Sequence, residues 1–149
     1  MKNPVQKSNY SKVALHTGAP AGTVADVSPG DPVKYGEYLV RVGHCMECHT
    51  KDKDGRPDLA NQMGAGGRKF PNPRGDNVSS NITQDRETGI GAWTDAQIAR
   101  AITKGIRAND AQMRPPMCFA CYGKMTPADI GAMIAHLRTV KPVKNDVLQ

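Results

Sequence analysis

The chain has 149 residues, enough for one domain and a tail; 38% are hydrophobic and only 5% aromatic, little for a chain that fills its own core. Its 20 lysines and arginines outnumber 14 acids for a net +6. They are scattered in ones and twos, with no basic run or aromatic-interleaved stripe of the kind that binds nucleic acid. No apolar stretch approaches the ~18 residues that cross a membrane. Residues 1–30 show neither helical nor strand period and carry Pro4, Gly18, Pro20, Gly22, Pro29 and Gly30. We read them as an extended or flexible N-terminal arm, and residues 31–149 as one domain. Met1 and Lys2 are followed by no apolar segment of a secretory leader.

At Asp31 the pattern changes. Asp31 can cap a helix and Pro32 suits its first turn. Val33, Gly36, Leu39, Val40 and Gly43 then recur at three- and four-residue intervals, which predicts a helix to about residue 43. Gly36 either admits a second helix at close range or merely weakens this one. The helix delivers the chain into Cys45-Met46-Glu47-Cys48-His49, a C-x-x-C-H sequence of the kind that attaches heme covalently. On one helical turn, positions 45, 48 and 49 share a face. Two thiols so spaced can add to the two vinyl groups of one porphyrin, and His49 then lies beneath the ring with a nitrogen aimed at iron. Two rivals use the same residues. One is a four-cysteine zinc site completed by Cys118 and Cys121; the other is a redox-active dithiol, although no βαβ pattern surrounds Cys45. Attachment through such a motif follows export, so we expect a periplasmic protein whose leader is absent from this sequence.

Residues 50–92 read mostly as loop. Asp52, Asp54, Gly55 and Asp58 suggest a solvated acidic turn, because a calcium loop would need a later glutamate. Thr94 caps a helix bearing Ile98, Ala101, Ile102 and Ile106, with Trp93 at its threshold. The last helix has Thr126 as N-cap, Pro127 in its first turn and Asp129 at N3. Ile130, Met133, Ile134 and Leu137 share its apolar face, and Pro142 ends it. No strand alternation and no internal repeat is evident.

About three helices, with the heme motif ending the first, resemble the all-α class I cytochrome c fold, its long loops wrapped around one covalently bound heme. Gly66-Gly67-Arg68-Lys69-Phe70-Pro71, Asn81-Ile82-Thr83-Gln84-Asp85, Thr88-Gly89-Ile90-Gly91-Ala92-Trp93-Thr94-Asp95 and Arg114-Pro115-Pro116-Met117 sharpen the resemblance. They are similar to motifs in the cytochrome c subunits of bacterial alcohol, aldehyde and gluconate dehydrogenases, over roughly residues 34–140. Those subunits usually hold three such modules, and this chain holds one.

The resemblance implies one heme c and an electron-transfer role, with no catalytic residue of the chain's own. Met117 occupies the family's P-x-M position, after a Pro-Pro segment able to present a thioether to iron. Met125 reads as core and Met113 as a loop or packing residue. His16, His44 and His136 are alternative ligands, and an open sixth site is a further possibility. Ile82, Ile98 and the last helix would form an apolar crevice. Trp93 either hydrogen-bonds a heme propionate or serves as an apolar plug. Asn81 would fix a loop against the heme edge, and Pro57 would lend His49 its carbonyl. Cys118 and Cys121 depart from the subfamily, and read as a small disulfide or as free thiols. The expected donor is a dehydrogenase and the expected acceptor another cytochrome or a terminal oxidase. The alternative function is a fixed cytochrome subunit of a dehydrogenase complex; a heme enzyme or sensor would follow from an open sixth site.

Overall fold

The computed structural model describes residues 27–73 and 75–147. The arm expected over 1–30 therefore lies, as far as residue 26, outside the described residues. Among the described residues five helices occur in the order α1 (Pro32–Val42), α2 (Cys45–Cys48), α3 (Asp95–Lys104), α4 (Phe119–Tyr122) and α5 (Pro127–Leu137). Four two-residue strands, β1 (Asp52–Lys53), β2 (Arg56–Pro57), β3 (Lys69–Phe70) and β4 (Asn77–Val78), form two antiparallel pairs between α2 and α3. The expected all-α description thus gains two small ladders, too short to leave any alternation in the sequence. Asp54 and Gly55, both at positive φ, make the two-residue turn of the first.

Local chemistry sets the three long helices. An Asp31 carboxylate oxygen accepts from the Lys34 amide at 3.1 Å, and Pro32 needs no hydrogen-bond partner in the first turn. Thr94 and Gln97 satisfy each other's backbone amides as a capping box. Thr126 accepts from the Asp129 amide at 3.1 Å. Two ends differ from expectation. α3 stops at Lys104, because Gly105 turns left-handed, and Ile106 instead bridges to Gln112. α5 stops at Leu137, ahead of Pro142, with Arg138 as its C-cap.

The core lies where α1, α3 and α5 meet: Val40, Ile98, Ile102, Ile130, Met133, Ile134 and Leu137 are buried together. α1 crosses α5 at Gly36, where a Cβ would stand 1.8 Å from the Ala132 carbonyl oxygen. Backbone therefore meets backbone, which decides for the close crossing. Tyr35 Oη donates to Asp129 at 3.0 Å across the same crossing. Arg138 ties the end of α5 to the start of α3, donating to the Trp93 carbonyl at 2.6 Å and pairing with Asp95 at 2.7 Å.

Candidate heme site

α2 is a single turn, and it places Cys45 and Cys48 three residues apart with their thiols free. His49 ends the turn, its amide bonded to the Cys45 carbonyl at 2.9 Å. The His49 Nδ1 stands 2.7 Å from the carbonyl oxygen of Ser80. A carbonyl can only accept, so Nδ1 carries the proton and Nε2 keeps its lone pair, the tautomer a metal ligand requires. Burial pushes the imidazole below the usual histidine range, while the Ser80 bond acts in the opposite sense. The orienting carbonyl is thus Ser80 and not Pro57, whose own oxygen accepts from the Leu59 amide. Thirty-one residues separate Ser80 from His49, too many for any local pattern to connect them.

The motif is embedded in backbone bonds. Thr50 is fully buried; its hydroxyl donates to the Met46 carbonyl at 2.5 Å and accepts from the Gly64 amide at 3.0 Å. The Gly66 amide donates to the His49 carbonyl at 2.7 Å. A Cβ on Gly66 would come within 2.6 Å of backbone atoms of residues 79–81, and its φ of +74° is already unfavourable for any other residue. Arg68 reaches back to the Glu47 carbonyl at 2.8 Å and pairs with Asp52 at 3.4 Å.

Cys45 and His49 face a cavity with about 780 Å³ of empty space, counting its open mouth. Ile82, Ile90, Ile98, Ile102, Met133 and Leu137 make its walls apolar. Burial there pushes the Cys45 thiol up to about 11. Met117 and Trp93 line the same cavity. Asn81 lines it too, but its side chain is spent within the protein. It accepts from the Thr83 amide and hydroxyl and donates to Thr88 and the Val143 carbonyl, pinning the 81–90 loop to the chain after α5.

Met113 also lines the cavity, whereas Met125 packs against the core. His44 is exposed, His136 sits where α5 meets Gly36, and neither lines the cavity; His16 lies outside the described residues. Pro115 and Pro116 lie in a turn, so Met117 follows a turn instead of an extended segment. Cys118 and Cys121 form a disulfide. That removes them from any four-cysteine zinc site, and no cluster of three or more potential ligands exists among the described residues.

Arg107 was not anticipated. It lines the cavity, and its guanidinium has one long contact, 3.5 Å to the Ser80 hydroxyl, and no carboxylate partner among the described residues. Burial holds its pKa below the usual arginine value. Arg100 braces the loop that carries it, bonding the Arg107 carbonyl at 2.8 Å and Asp110 at 2.7 Å. Free paired thiols, a nitrogen lone pair, apolar walls and one uncompensated cation suit an apolar macrocycle that carries carboxylates.

The Cytochrome c family model matches residues 33–141, nearly the whole described chain. The chain belongs to the cytochrome c family. Family membership brings covalently bound heme c, the class I fold and a role in electron transport. The cytochrome subunit of fructose dehydrogenase from Gluconobacter japonicus is 35% identical over 133 residues, covering 83% of this chain and 26% of that protein. The cytochrome c subunit of quinone-type alcohol dehydrogenase from Gluconobacter oxydans is 38% identical over 112 residues, 74% of this chain and 22% of that protein. That of gluconate 2-dehydrogenase from Pantoea cypripedii is 36% identical over 112 residues, 74% and 24%. This cytochrome c domain spans about a quarter of the length of these relatives. All three are cytochrome subunits of dehydrogenases. Among the described residues no helix is long and apolar enough to cross a membrane.

Proposed function

We propose that residues 31–149 hold one heme c through thioethers from Cys45 and Cys48, with His49 and Met117 as axial ligands, and relay single electrons. The observation that carries this is the convergence of His49, fixed in the metal-binding tautomer, and Met117 on one apolar cavity. The bound iron supplies the one-electron couple. The chain's residues do the rest. Ser80 orients His49, the isoleucine walls exclude water, and a thioether at the sixth position favours the ferrous state and leaves no place for a small ligand. Trp93 and Arg107, both on the cavity lining, would meet the carboxylates, and Asn81 would hold the 81–90 loop.

Electrons come from a dehydrogenase and pass to another cytochrome or a terminal oxidase, in the periplasm. The net +6 suits acidic docking surfaces. A second reading makes the chain a fixed subunit of a dehydrogenase complex; that the three relatives named above are cytochrome subunits of dehydrogenases favours it. Co-purification at constant stoichiometry distinguishes the two.

The test is a pair of visible spectra. Sharp α and β bands after dithionite, with a weak far-red sulfur-to-iron band in the oxidised protein, are expected. A heme spectrum without the far-red band overturns Met117 ligation, and carbon monoxide binding to the ferrous protein then reports an open site.

A further inference from the structure

Cys118 and Cys121 are bonded to each other and do not line the cavity, yet Cys118 follows Met117 directly. Both are exposed, whereas the two residues of α4 that anchor the turn face inward. The Phe119 ring lies against Gly105, and Tyr122 donates to the Gly43 carbonyl at 3.1 Å, two residues before the heme motif. Upstream, Asn77 holds the Pro115 carbonyl at 2.6 Å. Met117 therefore sits between two anchored points, and its downstream connection runs through the cross-linked turn. That turn has four helical residues and no side-chain cap, far below the length at which a helix sustains itself.

We propose that the Cys118–Cys121 disulfide is a thiol-exchange site, open to dithiol reductants, whose reduction slackens the loop presenting Met117. A thiolate of the dithiol attacks one exposed sulfur; the S–S bond breaks and the other cysteine leaves as a thiolate and takes a proton. The reagent's second thiol then closes on the mixed disulfide and releases the second cysteine. Two electrons and two protons pass from the dithiol to the protein, and the dithiol ends as a disulfide. The domain then carries two redox centres of different kind: a one-electron iron site and, beside its methionine, a two-electron sulfur site. The inference rests on Met117 ligation, and the experiment separates the two.

The purified heme-loaded protein is treated with a dithiol, alkylated with iodoacetamide, freed of reagents, reoxidised with ferricyanide, and compared with an untreated sample by mass spectrometry and far-red absorbance. Two adducts, on Cys118 and Cys121, are expected, with the far-red band reduced by roughly half or more and carbon monoxide now binding the ferrous form. The Cys118→Ser/Cys121→Ser protein is expected to show the weakened band from the start and no further response to the dithiol. Two adducts with an unchanged band overturn the inference, and so does the absence of adducts on folded protein. No far-red band in the untreated sample instead overturns Met117 ligation, and this inference with it.

Discussion

The segment around His49 and the segment around Met117 face the same cavity, but they are held in different ways. Residues 45–50 are woven into their surroundings: Thr50, Gly64, Gly66, Arg68 and Ser80 all bond to this stretch or to the hydroxyl that braces it. Residues 113–122 are fastened at points, by the Met113 amide on the Gly105 carbonyl, Asn77 on Pro115, the disulfide, and the Phe119 and Tyr122 anchors. A woven segment fails together with the fold, whereas a fastened one can let go while the core stays intact. Damage at His49 should therefore appear as lost stability, and damage at Met117 as lost ligation.

The largest effect should come from Gly66→Ala, which forces a Cβ against the backbone of residues 79–81 at positive φ. We expect a loss of about 3 kcal/mol or more, measured by denaturant unfolding. A stable variant would break the contrast. Thr50→Val leaves the Met46 carbonyl and the Gly64 amide without their partner. Its expected cost is about 2 kcal/mol, with the far-red band retained in whatever remains folded. Removing the disulfide by Cys118→Ser/Cys121→Ser releases a short loop constraint of about 2 kcal/mol at most. It should weaken the band while circular dichroism stays native. Asn77→Ala unties the exposed bond to Pro115, for about 1 kcal/mol or less. A partial loss of the band out of proportion to that cost would sharpen the contrast.

Outside the two segments, the group that acid reaches first is His136. Burial between α1 and α5 holds His136 below its ordinary value; Glu37 acts to raise it and Arg41 to lower it further. The unfolded chain then takes up the proton first, so stability falls as pH drops below about 6.5 and levels off once the folded imidazole is also charged. Asp85 and Asp129 are held low by hydrogen bonds from Thr88 and Thr126. Their contribution is present above the ordinary carboxylate range and disappears as pH falls through their lowered values. Unfolding titrations of the native protein and of His136→Gln should differ only in the first window, with an unchanged far-red band throughout it.

What could be read from the sequence was what adjacent residues decide among themselves. Asp31 with Pro32, Thr94 with Gln97 and Thr126 with Asp129 announce helix starts because a cap and its amide are three residues apart. Cys45, Cys48 and His49 announce the C-x-x-C-H motif for the same reason. Ser80, Arg107 and Met113 reach the cavity through loops whose course is set by distant bonds, such as Arg100 on the Arg107 carbonyl, and no period marks them. The four-residue α4 and the two-residue strands are shorter than any window in which a period can be recognised. At Gly36 two meanings were open, and only the approach of Ala132 chose between them.

That crossing also sets an order of events. Tyr35 and Asp129 meet across a separation of 94 residues, so the domain closes only when nearly its entire length is present. If the chain is delivered amino end first, Cys45 and Cys48 emerge well before α5 can cover α1. For that interval the two thiols are displayed on an open polypeptide, accessible to whatever would join them to a porphyrin under the proposed function. Arrival of the last helix would then seal the product inside. The same long-range closure that slows folding thus provides a time window for assembly, and its length is set by the distance along the chain between the first helix and the last.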